Sequence, residues 1–305
     1  MEVRTAKLGW CMGIERAYRL MNKQAAAAVG QPIYATHRPP PSINEDMDTL
    51  YRIAQKDTRL LEQYPALQAV QVLRDPSTIR GEATLMLGYH GLSREAIRDL
   101  TGRGIEVKDY QCPFITKLDD TVDRLVAAGF DILIVGKRQN HHCLHAQEMA
   151  ARHQRQCRVI EGLEDLETIP AGAAMRWALV GQVTGNTVLW EAAVKWAHQH
   201  GIAAHVKDTI CSDSYQRQEG AMDLAHQTER CLVVDDGGGA SDSLFEVLSA
   251  LHDRVYRVRW RDDGSWKASI DPSWLQGASS VAVVGGILVP QWAVNEVAAY
   301  VQGMA

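Results

Sequence analysis

The sequence has no apolar run long enough to cross a membrane. One of its longest, Val281–Val289 with two glycines, reaches nine residues, against the roughly 20 that a spanning helix needs. It has no basic surplus: 32 Lys and Arg stand against 37 Asp and Glu, for a formal charge of −5. That excludes the electrostatic footprint of a nucleic-acid binder. The opening Met1-Glu2-Val3-Arg4 lacks the apolar core of a secretion signal, so a cytoplasmic protein is expected. No segment is low-complexity, and 46% apolar with 23% charged residues excludes global disorder. The six cysteines include no close CxxC pair of the kind a zinc ribbon uses. In the cytoplasm they are expected as thiols or metal ligands, not disulfides.

What is present is a repeat. The 305 residues suit two or three packed subdomains, and Cys11, Cys112 and Cys211 fall about 100 residues apart. Each precedes a helical stretch: Gly13 to Val29, Ile115 to Ala128, and Tyr215 to Thr228. A short apolar strand begins roughly 20 residues after each cysteine: Pro32–Ala35, Asp131–Val135 and Cys231–Val234. A basic residue, Arg16, Lys117 or Arg217, sits five or six positions past each one. A second helix and strand follow, the strands at Ala83–Gly88, Trp177–Gly181 and Ser280–Val284. The chain therefore reads as α/β, three pseudo-repeated units at 1–108, 109–206 and 207–305, with parallel-type sheets flanked by helices. Gly237–Gly239 is expected as a flexible turn, and Trp260 to Trp274 as a hairpin-like excursion.

Each of the three cysteines sits at the start of a helix, where the positive helix end favours a thiolate. Three thiolates from distant positions suit an iron–sulfur cluster, with one iron left open to act as a Lewis acid. They equally suit three buried structural cysteines. Cys157 and Cys231 read as structural.

The local motifs carry a resemblance. Gly9-Trp10-Cys11-Met12-Gly13-Ile14-Glu15-Arg16-Ala17 resembles the GFCxGVxRA opening of the LytB/IspH family, the 4-hydroxy-3-methylbut-2-enyl diphosphate reductases. Pro32-Ile33-Tyr34 with His37 is similar to its PIYxxH element, and His90-Gly91-Leu92-Ser93 to AHGVS. Asp109–Lys117 is similar to DATCPLVTK, and Asp208–Cys211 with Arg217-Gln218 and Ala221 to DTICxATxxRQxA. The resemblance runs from residue 7 to about 300. It implies a three-lobed α/β fold around a central [4Fe–4S] cluster held by Cys11, Cys112 and Cys211. It also implies electrons from reduced ferredoxin or flavodoxin, and reductive loss of a hydroxyl from a small molecule. His37 and His90 take the places of two histidines that bind diphosphate in the family.

The sequence departs from the family's pattern at four places. Its diphosphate-binding Ser-Ser-Asn run reads Gly238-Gly239-Ala240-Ser241-Asp242, where only Ser241 survives, and its later GAS element reads Gly285-Gly286-Ile287-Leu288. The G-x-x-x-H-P-E loop, whose Glu relays protons, reads Gly136-Lys137-Arg138-Gln139-Asn140-His141-His142-Cys143-Leu144-His145. Its carboxylate is gone, leaving His142 as a proton donor or Cys143 as a proton donor or fourth iron ligand. This loop is expected to face the cluster. In the QTT element Gln182 stays, Val183 replaces a Thr, and Thr184 follows as the candidate hydroxyl. These departures lead to the expectation of a two-electron reductive dehydroxylation, or related reduction, on a substrate other than the usual isoprenoid diphosphate. The alternatives are the usual reductase itself and a non-catalytic electron-transfer or redox-sensing protein.

Overall fold

The computed structural model describes residues 1–6, 9–28, 30–36, 49–88, 92, 94–169, 176–202, 205–261 and 263–304. The chain begins with β1 (Glu2–Thr5), α1 (Met12–Ala27), β2 (Ile33–Thr36) and two short helices, α2 (Thr49–Ala54) and α3 (Thr58–Gln63). It continues through β3 (Gln71–Val72), β4 (Ala83–Leu87), α4 (Arg94–Gly102) and β5 (Ile105–Asp109). Next come α5 (Pro113–Ala127), β6 (Asp131–Val135), α6 (His141–Arg152), β7 (Cys157–Ile160) and α7 (Leu163–Glu167), then β8 (Trp177–Gly181), α8 (Thr187–Gln199) and β9 (Val206–Lys207). The last stretch is α9 (Ser212–His226), β10 (Arg230–Asp235), α10 (Gly239–Leu251), β11 (Val255–Arg259), β12 (Ser280–Gly285) and α11 (Gln291–Gly303).

The strands form three four-stranded parallel sheets with one plan: β3-β2-β4-β5, β7-β6-β8-β9 and β11-β10-β12-β1. The central strands are buried along their whole length, as in β6 (Asp-Ile-Leu-Ile-Val) and β8 (Trp-Ala-Leu-Val-Gly). Continuous β-branched and aliphatic runs of this kind are what a sheet covered on both faces requires. The expected α/β architecture of three repeated units is what the chain builds. In each sheet the outermost strand after the central pair, β5, β9 or β1, leads out to a cysteine and then to the next helix. Strand β1 thus starts the chain yet completes the last sheet, with Val3 opposite Val281.

The chain divides into two compact units, Trp10–Pro113, and Met1–Gly9 with Phe114–Ala305. In the first, α1 turns Ile14, Ala17, Tyr18, Met21 and Ala25 inward at helical spacing. The Tyr18 ring lies 4.8 Å from that of Trp10 and 5.4 Å from that of Tyr64. In the second, Leu133, Val135, Leu179 and Trp190 share one core, and Val233, Leu244, Leu248 and Val284 another.

Three local expectations change. Residues 141–145 open helix α6, because the Asn140 side chain accepts the His142 N–H at 2.9 Å and caps it. Gly237–Gly239 is a held turn: the Asp235 and Asp236 carboxylates take the N–H groups of Gly237 and Gly238 at 2.8 and 3.1 Å. Residues 265–274 form two 3-10 turns instead of a hairpin, each opened by an aspartate that accepts a serine N–H, Asp263 from Ser265 and Asp271 from Ser273.

Candidate functional site

Cys11 is the N-cap of α1, and Cys112 directly precedes Pro113, the first residue of α5. Gly13 lies between them. A Cβ there would stand 2.8 Å from Cys112 Sγ and 3.8 Å from Cys11 Sγ. The two sulfurs therefore lie over the first turn of α1, no farther apart than the sum of those distances. Cys211 is the N-cap of α9, in the other compact unit. Its sulfur accepts the Ser214 N–H at 3.3 Å and lies 3.1 Å from the Ser214 hydroxyl. Its own N–H binds the Val183 carbonyl at 2.9 Å. None of the six cysteines is in a disulfide. Three thiols at helix starts, two sharing one small space, fit the donor set of an iron–sulfur cluster. Among the described residues, no group of three or more metal-ligating side chains is gathered.

The C-terminal ends of β6, β8 and β10 meet around Gln182. Its Oε1 accepts the Lys137 N–H at 2.9 Å, and its Nε2 donates to Thr184 Oγ1 at 2.9 Å. Thr184 thus sits one residue past the carbonyl that holds Cys211. A Cβ on Gly136 would meet Gln182 Cβ and Oε1 at 2.6 Å and Cys143 Sγ at 2.8 Å. A Cβ on Gly239 would meet Asn140 Nδ2 at 2.9 Å and Gln182 Nε2 at 3.7 Å. The two amides and the start of α10 therefore converge.

His142 and Cys143 lie in the first turn of α6 and are buried. Burial, with His141 and His145 close by, holds the His142 pKa well below the ordinary value, so the ring is neutral at neutral pH. Burial drives the Cys143 thiol far up, with Cys157 and Glu161 adding to the effect. Ser241 is fully buried and its hydroxyl donates to Asp236 Oδ1 at 2.6 Å. Asp236 is buried as well. Among the described residues its Oδ2 has no hydrogen-bond partner, and burial pushes its carboxyl pKa up, with Asp235 adding to the rise. Gly286 packs so closely that a Cβ there would overlap the Ser241 hydroxyl. The buried Leu288 side chain offers no donor. His37 and His90 lie outside the described residues. Sequence reasoning passed over Asp236, although two adjacent aspartates between a buried strand and three glycines were a visible signal.

The fold and these groups define a three-sheet α/β protein whose cysteines open its helices. The LytB protein family model matches residues 3–302, and the chain belongs to that family. By that membership and its named relatives it is an oxidoreductase. The 4-hydroxy-3-methylbut-2-enyl diphosphate reductase of Geotalea uraniireducens is 26% identical over 300 residues, 97% of this chain and 95% of the relative. The reductase of the same name from Anaeromyxobacter sp. is 26% identical over 306 residues, 100% and 98% of the two chains. Among solved structures, the E-1-hydroxy-2-methyl-but-2-enyl-4-diphosphate reductase of Plasmodium falciparum superposes with a TM-score of 0.71 at 14% identity. It covers 97% of this chain and 86% of that one. A second reductase structure, of the terminal enzyme of the non-mevalonate pathway, covers 99% of both chains with a TM-score of 0.55 at 21% identity. No described helix is long and apolar enough to cross a membrane.

Proposed function

We propose that the chain is an iron–sulfur reductase that removes the hydroxyl of 4-hydroxy-3-methylbut-2-enyl diphosphate as water. The reaction consumes two electrons and two protons. The observation that carries this reading is the meeting of Cys11 and Cys112 over Gly13, with Cys211 capping α9. Relatives of one name, matched along nearly the whole chain, support the ordinary substrate better than the changed one expected from the sequence. Cys11, Cys112 and Cys211 would hold a [4Fe–4S] cluster, which supplies single electrons and an iron site for a substrate oxygen. A small reduced ferredoxin or flavodoxin fits as the electron donor.

The chain's own residues supply protons and orientation. Gln182 Nε2 occupies a lone pair of Thr184 Oγ1, which leaves the Thr184 O–H to donate onward. We assign that hydroxyl the proton-delivering role. Cys143, a thiol, closes the wall behind Gln182, its sulfur 3.7 Å from Gln182 Oε1, and the neutral His142 precedes it in the first turn of α6. His37 and His90 remain assigned to the diphosphate.

A second reading, a changed substrate, draws on one observation: the Ser241 hydroxyl and the Gly238 N–H are taken up by the Asp236 carboxyl, not left for a phosphate. One assay separates the two. Anaerobically reconstituted protein is given reduced viologen and 4-hydroxy-3-methylbut-2-enyl diphosphate. Turnover at about 1 per second or faster, ordinary for an enzyme, supports the first reading. Absence of turnover by iron-replete protein overturns it in favour of the second.

A further inference from the structure

The repeated basic residues, five or six positions after each cysteine, make three contacts of one kind. Arg16 Nη1 donates to the carbonyl of Gln111, the residue before Cys112, at 3.4 Å. Lys117 Nζ donates to the carbonyl of Asp208, three residues before Cys211, at 2.9 Å. The Arg217 guanidinium donates to the carbonyl of Gly9, two residues before Cys11. Each binds the segment leading into the next one, and the third returns to the first.

We propose that Arg16, Lys117 and Arg217 are positioning residues, each holding the backbone that leads into another repeat's cysteine: Arg16 the turn at Gln111, Lys117 the turn at Asp208 and Arg217 the backbone at Gly9. The strands leading to these segments are short: β5 has five residues and ends at Asp109, β9 has two, and the four-residue β1 ends at Thr5. The segment before Cys211 is also tied to the end of β8, where Thr209 Oγ1 accepts the Gly181 N–H at 2.9 Å and the Cys211 N–H binds the Val183 carbonyl at 2.9 Å. Two of the segments carry a local lock, since Asp109 Oδ1 accepts the Gln111 N–H at 2.8 Å and Asp208 Oδ1 accepts the Ile210 N–H at 3.0 Å. Such aspartate turns shape the backbone but do not anchor it to a helix. The segment before Cys11 has Leu8 where the others have Asp109 and Asp208. Its cation is the most committed of the three: Arg217 is buried and donates also to the Gly286 carbonyl at 3.4 Å. A long cationic side chain suits this task because its apolar stem packs along the helix while its tip makes a charge-assisted bond to a carbonyl. The same three charges lie beside thiol-bearing turns, where a positive field favours the reduced, more negative state of a bound cluster. That last consequence rests on the proposed iron–sulfur function; the positioning itself does not.

The test uses the full-length chain and needs no substrate. Lys117 is exposed, so Lys117→Gln is expected to fold. In iron-free protein, amide hydrogen exchange should quicken by about tenfold or more in the peptide covering 205–212. It should stay unchanged around Cys112, on the substituted residue's own side. Lys117→Arg should restore protection. Arg16→Gln should quicken exchange around 107–113 in the same way, and Arg217→Lys should keep the segment around Cys11 protected where Arg217→Gln does not. In iron-loaded protein, Lys117→Gln should lower the reduction potential and Lys117→Arg should return it. Faster exchange confined to the substituted helix, or none in the next cysteine's segment, would overturn the assignment. Loss of turnover with the exchange pattern intact would instead count against the reductase reading alone.

Discussion

Gly136→Ala probes the wall behind the site. The added methyl would stand 2.6 Å from Gln182 Cβ, 2.6 Å from Gln182 Oε1 and 2.8 Å from Cys143 Sγ. Carbon atoms pack at about 3.5–4.0 Å, so the overlap with Gln182 Cβ is about 1 Å. Rotating the glutamine does not relieve it, because Cβ is fixed by the backbone. The ends of β6 and β8 must part instead. That strains the Gln182 N–H bond to Val135 at 2.8 Å and the Lys137 N–H bond to Gln182 Oε1 at 2.9 Å. Overpacking of a close core costs about 1–3 kcal/mol, and one weakened hydrogen bond adds about 0.5–1.5 kcal/mol. We expect a loss of about 2–4 kcal/mol, read as a lower urea midpoint with unchanged slope. Turnover should fall as well, because Gln182 orients Thr184. The control is Gly220→Ala, inside α9, where nothing lies within 4 Å of the new methyl. There the removal of glycine's extra unfolded-state freedom should raise stability by about 0.5–1 kcal/mol. A Gly136→Ala change below about 0.5 kcal/mol, within the range of ordinary surface substitutions, would refute the close approach.

Two further outcomes are expected. Changing Cys11, Cys112 or Cys211 to Ser should each deplete iron from anaerobically purified protein, while Cys157→Ser and Cys231→Ser keep about four irons per folded chain; full iron in one of the first three removes that residue from the ligand set. Asp119 bonds His145 Nδ1 at 3.1 Å and raises its pKa, so the pair's stabilisation is full below the unfolded His value of about 6.5 and fades as pH rises through the raised one. Wild type minus Asp119→Asn stability should therefore be larger at about pH 5.5 than at about pH 9, and an equal difference at both would refute the ion pair.

Much of the fold was legible because parallel strands buried on both faces leave unbroken apolar runs. The expected strands at 131–135 and 177–181 coincide with β6 and β8. What local pattern does not carry is non-local pairing. Nothing around Glu2–Thr5 says that it completes a sheet with residues 280–285. Nor does the sequence around Gln71–Val72 or Val206–Lys207 signal a strand, since two residues are too few to show a period of two. Helix α6 was misread for a different reason. Asn140 followed by Leu144, Ala146 and Ala150 carries both an N-cap and a helical spacing, which the resemblance of residues 136–145 to the family's loop obscures. At the site, the residue types of Cys11, Cys112 and Cys211 were legible. The neutral state of His142 and the buried, raised carboxyl of Asp236 were not, because both arise from burial that only packing determines.

The six cysteines fall into two groups by where the fold places them. Cys143, Cys157 and Cys231 lie within or against the sheets. Burial pushes the Cys157 thiol up to about 12 and raises the other two, so all three stay protonated and inert across the neutral range. Cys11, Cys112 and Cys211 stand where an outer strand has ended and a helix begins. At that junction the first backbone N–H groups of the helix lack the usual intrahelical partner, and a sulfur can share in accepting them: the Ser214 N–H lies 3.1 Å from the Cys211 carbonyl and 3.3 Å from its sulfur. The division follows from topology alone. A cysteine placed after the outer strand of each sheet is delivered to a helix start in every repeat, whatever its neighbours in sequence. A cysteine inside a central strand, such as Cys231, is delivered to the core. Three copies of one strand–cysteine–helix step therefore suffice to present three thiols at helix starts, and the cation in the second turn of each helix binds the backbone that leads toward another copy's cysteine.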